Sequence, residues 1–392
     1  MTAPDNGPGG RPRVPAGAAP DDGPAGRSPG ESAEAVRAAT AGHVTEAVRA
    51  DGGAGATGHT AAEAVRAAAE AEEGALLGLA PRAPHRTVRY GPHPSQLIDY
   101  HLPDGTPGLR VTILHGGFWR EAYDRTHLSP LAAALAREGC AVALAEYRRV
   151  GGGGGWPATF EDVSRIVVTA WGEQDPRDGG PDGAPRAGSK RSGRSGRSGR
   201  SGRAGGAAVE RAGRPGVTAV GRDGRARHVL LGHSAGGHLA LWAASMRTAA
   251  GAAGGGGTSG AGTYGTPAAP DRVVAVSPVA ALGRAHERDL SRGAVAGLLG
   301  GPGAVAELLP LADPLLLPPP VVPVTILHGT ADPDVPLALS REYAAVMRRA
   351  GARVELRERP GGGHYAPLTP GTGAFRELLD ALRGLPPEPS PG

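Results

Sequence analysis

The chain has almost no cysteine. Cys140 stands alone among 392 residues, which excludes an intrachain disulfide and a cysteine-based metal site. It falls in the apolar run "CAVALAEY" and reads as a buried structural thiol. Lysine is equally scarce: Lys190 is the single one. The other cations are all Arg, a usage that reflects GC-rich coding before it reflects function. The pI near 9.5 sits on a net charge of only +4. No apolar run approaches the ~20 residues of a membrane span. The opening "MTAPDNGPGGRPRVPAGAAP" lacks the apolar core of a secretory signal. A soluble, cytoplasmic protein that uses no membrane is therefore expected.

Glycine and proline are abundant, 66 and 38, and they are concentrated in particular stretches. Segments of that composition bury too little apolar surface to offset the entropy of ordering. They divide the chain. Residues 1–84 are expected to be a largely disordered extension, with a helix over 60–77 where "EAVRA" runs on into "AAEAEEGALLGLA". That pentapeptide begins at Glu34, Glu46 and Glu63, a spacing too irregular for a solenoid. Residues 85–385 are expected to form one folded domain. Within it, 173–226 and 249–270 read as disordered insertions, and 386–392 as a disordered tail.

The folded stretch opens with two alternating segments, "RTVRYG" and "QLIDYHLP", which suit antiparallel strands. Short apolar runs then alternate with helical patterns. The strands are "LRVTILHGG", "CAVALAEYR", "RHVLLGHS", "DRVVAVSP", "PVTILHG" and "RVELRERPG". Between and after them lie the helices "LSPLAAALAREG", "PATFEDVSRIVVTAWGEQ", "AGGHLALWAASMR", "LALSREYAAVMRRAG" and "TGAFRELLDALRG". The alternation predicts an α/β fold, a mostly parallel twisted sheet with helices on both faces. In such sheets ligands bind beyond the carboxyl ends of the strands, so the strand-to-helix loops carry the site.

Three motifs at the strand ends hold the chemistry, the third made of two loops. Gly232-His233-Ser234-Ala235-Gly236 follows an apolar strand and opens a helix. Its glycines permit a sharp turn that presents the Ser234 hydroxyl, and the helix N-terminus favours developing negative charge. Ala235 offers a backbone N–H. His115-Gly116-Gly117-Phe118-Trp119 follows "VTIL". Gly116 and Gly117 are the expected oxyanion donors, with Phe118 a possible substitute for one of them. Phe118 and Trp119 flank them as candidates for an apolar pocket, although core packing is an equal option for Trp119. His233 beside the nucleophile either shapes the turn or touches substrate. In "ILHGTADPDVP" and "PGGGHY", Asp332 and His364 supply the carboxylate and base that a serine nucleophile needs. Asp334 competes with Asp332 for that role, or caps the helix starting near Leu337.

These motifs resemble a known family. "HGGFW", "GHSAGGHLA", "HGTADPDVP" and "GGGHY" together resemble the α/β-hydrolases grouped around arylformamidases, feruloyl-esterase-like enzymes and hormone-sensitive-lipase-like carboxylesterases. "YGPHPSQLIDYHLP" and "EYRR…GWPATFEDV" add to the likeness, which covers residues 86–383. The order Ser234, Asp332, His364 matches the order of that triad. The resemblance implies an α/β-hydrolase fold with a small helical cap between Ser277 and Pro323 that helps shape the pocket. It implies Asp332 as the acid, acyl transfer through Ser234 from a small ester or aryl formamide, and neither cofactor nor metal. Tyr147, Arg148 and Asp162 are expected to buttress the oxyanion loop. Ala281 departs from the pattern, where relatives often carry Asp.

A second class of function attaches to the insertion. Residues 186–203 hold seven cations and no acid, which suits salt-sensitive contact with a polyanion. The segment has no aromatic residue for base stacking. Its tandem Ser-Gly-Arg units look like replication slippage, so no specific nucleic-acid partner is expected.

Overall fold

The computed structural model describes residues 56–172, 226–252 and 270–386. The basic insertion, most of the glycine-rich loop and both chain ends fall outside the described residues. The helix after the Ser234 turn extends to Ala252, into the stretch that was expected to be loop from 249.

Eight strands form one sheet: β1 Arg86–Arg89, β2 Leu97–His101, β3 Leu109–Leu114, β4 Cys140–Ala145, β5 Arg227–His233, β6 Arg272–Val276, β7 Val324–Gly329 and β8 Val354–Arg359. Their order is β1-β2-β4-β3-β5-β6-β7-β8. β1 and β2 are antiparallel to their neighbours and the other six run parallel. The helices are α1 Ala56–Leu77, α2 Ser129–Arg137, α3 Ala158–Thr169, α4 Ala235–Ala252, α5 Leu282–Glu287, α6 Ala294–Leu298, α7 Val305–Ala312, α8 Leu337–Arg349 and α9 Gly373–Arg383. This is the α/β-hydrolase fold, with α5–α7 as its small helical cap.

Period-two alternation sorts the strand side chains onto two faces. Val142 and Leu144, Val229 and Leu231, and Val274 and Val276 join Leu131, Leu135, Leu378 and Leu382 under α2 and α9. The intervening Ala141, Ala143, Leu230, Val273 and Ala275 face Phe160, Val163, Leu239, Trp242, Tyr343 and Met347 of α3, α4 and α8. Every residue of β4 is buried, as expected for a strand covered on both sides. Cys140 lies at its start, and burial pushes its thiol up to about 11. None of the described helices is long and apolar enough to cross a membrane.

The N-terminal helix α1 is not free. Leu76, 1% exposed, enters the cluster under α2 and α9, and beyond the helix Arg82 donates its N–H to Ser129 Oγ. The helix therefore ends against the domain, with Leu77 beside Ser234 and His364.

Candidate active site

Close backbone packing explains the glycines of the Ser234 turn. A β-carbon on Gly232 would lie 2.2 Å from the Gly236 carbonyl oxygen, and one on Gly236 would lie 2.1 Å from that of Leu114. Ser234 itself has φ +53, a left-handed conformation that costs a non-glycine residue on the order of 1–3 kcal/mol and clusters at functional sites. The strain is held by Ser234 N–H donating to Val276 O at 2.9 Å, while its own carbonyl accepts from His238 and Val279. Ala235 is the first residue of α4. Its N–H is among those an α-helix leaves without an internal partner.

The loops that carry Asp332 and His364 are joined to each other. Ala331 N–H donates to Gly362 O and Thr330 N–H to Arg359 O, and Gly361 N–H donates to Thr330 Oγ1. This brings His364 Nδ1 to 2.8 Å from Asp332 Oδ2. The Asp332 side chain is fully buried. Its Oδ1 accepts from the Asp334 and Val335 amides, both at 2.9 Å. His328 Nε2 lies 3.3 Å from its Oδ2. Burial alone would raise the Asp332 carboxyl, but His364 and His328 outweigh it and hold it far below the usual carboxylate range. For His364, burial opposes the charged ring, yet the Asp332 carboxylate lifts it to about 9. Asp334 does not cap α8, whose N-terminus has no side-chain cap; it lines the pocket instead.

Asp332, Asp334 and His364 bring their ligand atoms within 4.8 Å of one another, the spacing of a metal site. The Asp332 oxygens already accept three N–H groups within 2.9 Å, so the carboxylate is committed to the His364 ring and the amides of its own loop.

Ser234 and His364 open onto one pocket with Gly117, Phe118, His233 and Asp334. Gly116 lies directly beside the serine: a β-carbon there would meet His233 Nδ1 at 2.9 Å and Ser234 Cβ at 3.1 Å. Gly117, Phe118 and Trp119 all have positive φ. Val150 N–H donating to Trp119 O at 2.8 Å and Arg120 N–H donating to Gly117 O at 3.0 Å hold this loop. His233 donates Nε2–H to His364 O at 3.2 Å. Burial, then the nearby His364, lowers its pKa well below the ordinary value, so it is a neutral strut under the base loop.

Two expectations need correction. Trp119 is 1% exposed and is absent from the pocket lining. Its indole N–H donates to Ala235 O at 3.2 Å, and its ring meets His238 edge-on at 5.2 Å, so it is a core residue bracing the start of α4. The cap contributes no residue to the lining either. It packs instead on α4, where His238 bonds Ala312 O and Trp242 bonds Leu311 O.

The residues not foreseen are Leu77, Tyr123, His127 and Tyr365 on the pocket wall, and Glu146 beneath the oxyanion loop. His127 donates Nδ1–H to Asp124 O. Burial, then His115, lowers its pKa to about 4, so the ring is neutral. Glu146, 2% exposed, accepts from His115 Nε2 at 2.8 Å, from the Tyr147 amide at 3.0 Å and from the Arg125 amide at 3.0 Å. Burial would raise this carboxyl, but His115, Arg149 and Arg125 hold it at about 2. Tyr147 stacks on the His115 ring and donates its hydroxyl to His115 O at 2.7 Å. Arg148 and Asp162 pair one step further out, at 2.8 Å. An acidic residue closing an otherwise apolar strand was the signal for Glu146.

No family model matches the chain, and no curated protein matches it. Solved structures do resemble it in fold. A truncated carbohydrate esterase from gut microbiota aligns at TM-score 0.51 and 22% identity over 78% of this chain and 98% of its own. Esterase B from Lactobacillus Rhamnosis aligns at 0.52 and 16% over 91% and 95%. An acetyl ester-xyloside bifunctional hydrolase from Caldicellulosiruptor lactoaceticus aligns at 0.51 and 17% over 78% and 96%. At these identities the likeness establishes the α/β-hydrolase fold.

Proposed function

We propose that this protein is a serine hydrolase of small carboxylic esters. One observation carries the reading: Ser234 and His364 face a common pocket, and the other ring nitrogen of His364 is held by buried Asp332 at 2.8 Å. In this reaction His364 Nε2 takes the hydroxyl proton as Ser234 Oγ attacks the ester carbonyl carbon. Asp332 keeps the ring oriented and stabilises its cation. The carbonyl oxygen becomes an oxyanion facing the Gly116, Gly117 and Ala235 amides, each worth about 3 kcal/mol of barrier. Collapse breaks the bond to the alcohol, which leaves with the proton from His364. Water then attacks the acyl-serine by the same steps in reverse, releasing the acid and restoring Ser234.

Phe118 and His233 form part of the pocket wall, so they are the residues proposed to touch substrate. Among the described residues the lining contains Asp334 and no Lys or Arg, which favours neutral esters over anionic ones. N-formylkynurenine carries a carboxylate and is expected to be a poorer substrate than a neutral ester. That comparison separates an esterase from an arylformamidase.

The test is hydrolysis of p-nitrophenyl acetate by wild type and by Ser234→Ala, with both shown folded by circular dichroism. Turnover lost in the variant supports the assignment. Equal turnover in both would place the chemistry elsewhere.

A further inference from the structure

α1 reaches the chemistry itself. Its Glu72 carboxylate accepts the amide of Gly363, the residue before His364, at 3.0 and 3.1 Å. A β-carbon on Gly363 would lie 2.6 Å from that carboxylate and 3.7 Å from Ala69 Cα, so the base loop lies directly on the helix. Leu76, buried in the core, sets the rotation of the last turn. The next residue, Leu77, then projects onto the pocket that holds Ser234 and His364. The whole pocket, which Leu77 lines together with Phe118, Tyr123, Tyr365 and the Ser234 and His364 loops, has a volume of about 30 Å3. That is small beside the roughly 300–1,000 Å3 of pockets that enclose larger ligands, so a long chain meets the pocket walls.

We propose that α1 is a wall of the active site and that Leu77 is its size gate, restricting the enzyme to esters with a short chain next to the scissile carbonyl. The inference rests on the serine-esterase reading above and adds to it a specificity residue from outside the catalytic loops. Leu77 is half-buried, so trimming it opens the pocket without removing the Leu76 anchor.

The experiment measures kcat/KM for p-nitrophenyl acetate through octanoate, and for acetate esters of increasingly bulky alcohols. It uses wild type, Leu77→Ala, Leu77→Phe and the control Leu79→Ala, whose side chain is exposed. Labelling rates of Ser234 by short- and long-chain alkylphosphonates are read in parallel. One methylene in an apolar pocket is worth about tenfold or more. Leu77→Ala is therefore expected to raise the long-to-short ratio by at least about tenfold in hydrolysis and in labelling. Leu77→Phe should lower it, and Leu79→Ala should leave it unchanged. Unchanged ratios in both Leu77 variants of an active enzyme would overturn the gate. A folded wild type that hydrolyses no ester and takes no phosphonate on Ser234 would instead overturn the esterase reading, and the gate with it.

Discussion

Gly329, at the end of β7, lies so close to Gly362 that a β-carbon on it would come within 2.0 Å of the Gly362 carbonyl oxygen. The acid loop and the base loop are in effect one structure, zipped by Ala331 N–H on Gly362 O. The obstacle is backbone, which cannot swing aside. Gly329→Ala should therefore cost about 1–3 kcal/mol by overpacking. By moving Asp332 relative to His364 it should lower kcat about 100-fold. Gly105→Ala, with nothing within 4 Å of the new methyl, is the control. Thermal melts and p-nitrophenyl acetate kinetics on both variants check this; equal behaviour of the two would mean the loops are not rigidly coupled.

The Asp332–His364 pair predicts a pH profile. A general base acts only when its ring is neutral. Burial disfavours the charged ring, but Asp332 overrides it and raises His364 to about 9. As pH falls through that value the ring takes up a proton and kcat/KM falls. The ascending limb should thus lie well on the alkaline side of an ordinary histidine, which titrates near ~6.5. Asp332→Asn removes the carboxylate, so the limb should move to lower pH while the plateau drops by roughly 10⁴. A limb that stays in place in the variant would show that another group controls the titration.

Phe118 and Trp119 are adjacent, yet they should respond differently. Phe118 lines the pocket, so Phe118→Ala should alter KM and the preferred ester with little change in melting temperature. Trp119 is buried and bonded to Ala235 O. Trp119→Leu should lower stability by about 2–4 kcal/mol through lost packing, and leave substrate preference alone. Denaturant titration beside an ester series separates the two.

What could be read in the sequence was whatever local sterics impose. Glycines flanking Ser234 and paired after His115 mark places where backbone approaches backbone, and that requirement is visible in a pentapeptide. Strand alternation disclosed the sheet because each β-strand commits neighbouring residues to opposite faces. Other features depend on contacts between distant segments. Leu77 and Glu72 sit in an Ala-rich stretch with no motif, and only docking of α1 on the His364 loop gives them a part. Trp119 reads equally as pocket lining or core beside the glycines, and its burial against Ala235 and His238 decides for the core.

Glu146 provides the severest test of how the oxyanion loop is held. Its carboxylate collects His115, two backbone amides and Arg149, and Arg125 links it outward to Asp99 at 2.7 Å. Glu146→Ala removes the shared acceptor and leaves buried positive charge and N–H groups facing a void. Breaking such a pair from one side costs about 3–5 kcal/mol. None of Glu146, His115 and Gly116 is part of the pocket lining, so ground-state binding should be nearly unaffected. Oxyanion stabilisation should suffer, lowering kcat with KM close to wild type. Glu146→Gln retains an acceptor and the side-chain shape, and should recover part of both stability and kcat. A purely structural role would lower melting temperature alone and leave kcat of the folded fraction intact. Active-site titration with a phosphonate, which counts competent Ser234, distinguishes the two: full titration with low kcat places Glu146 among the positioning residues of the reaction.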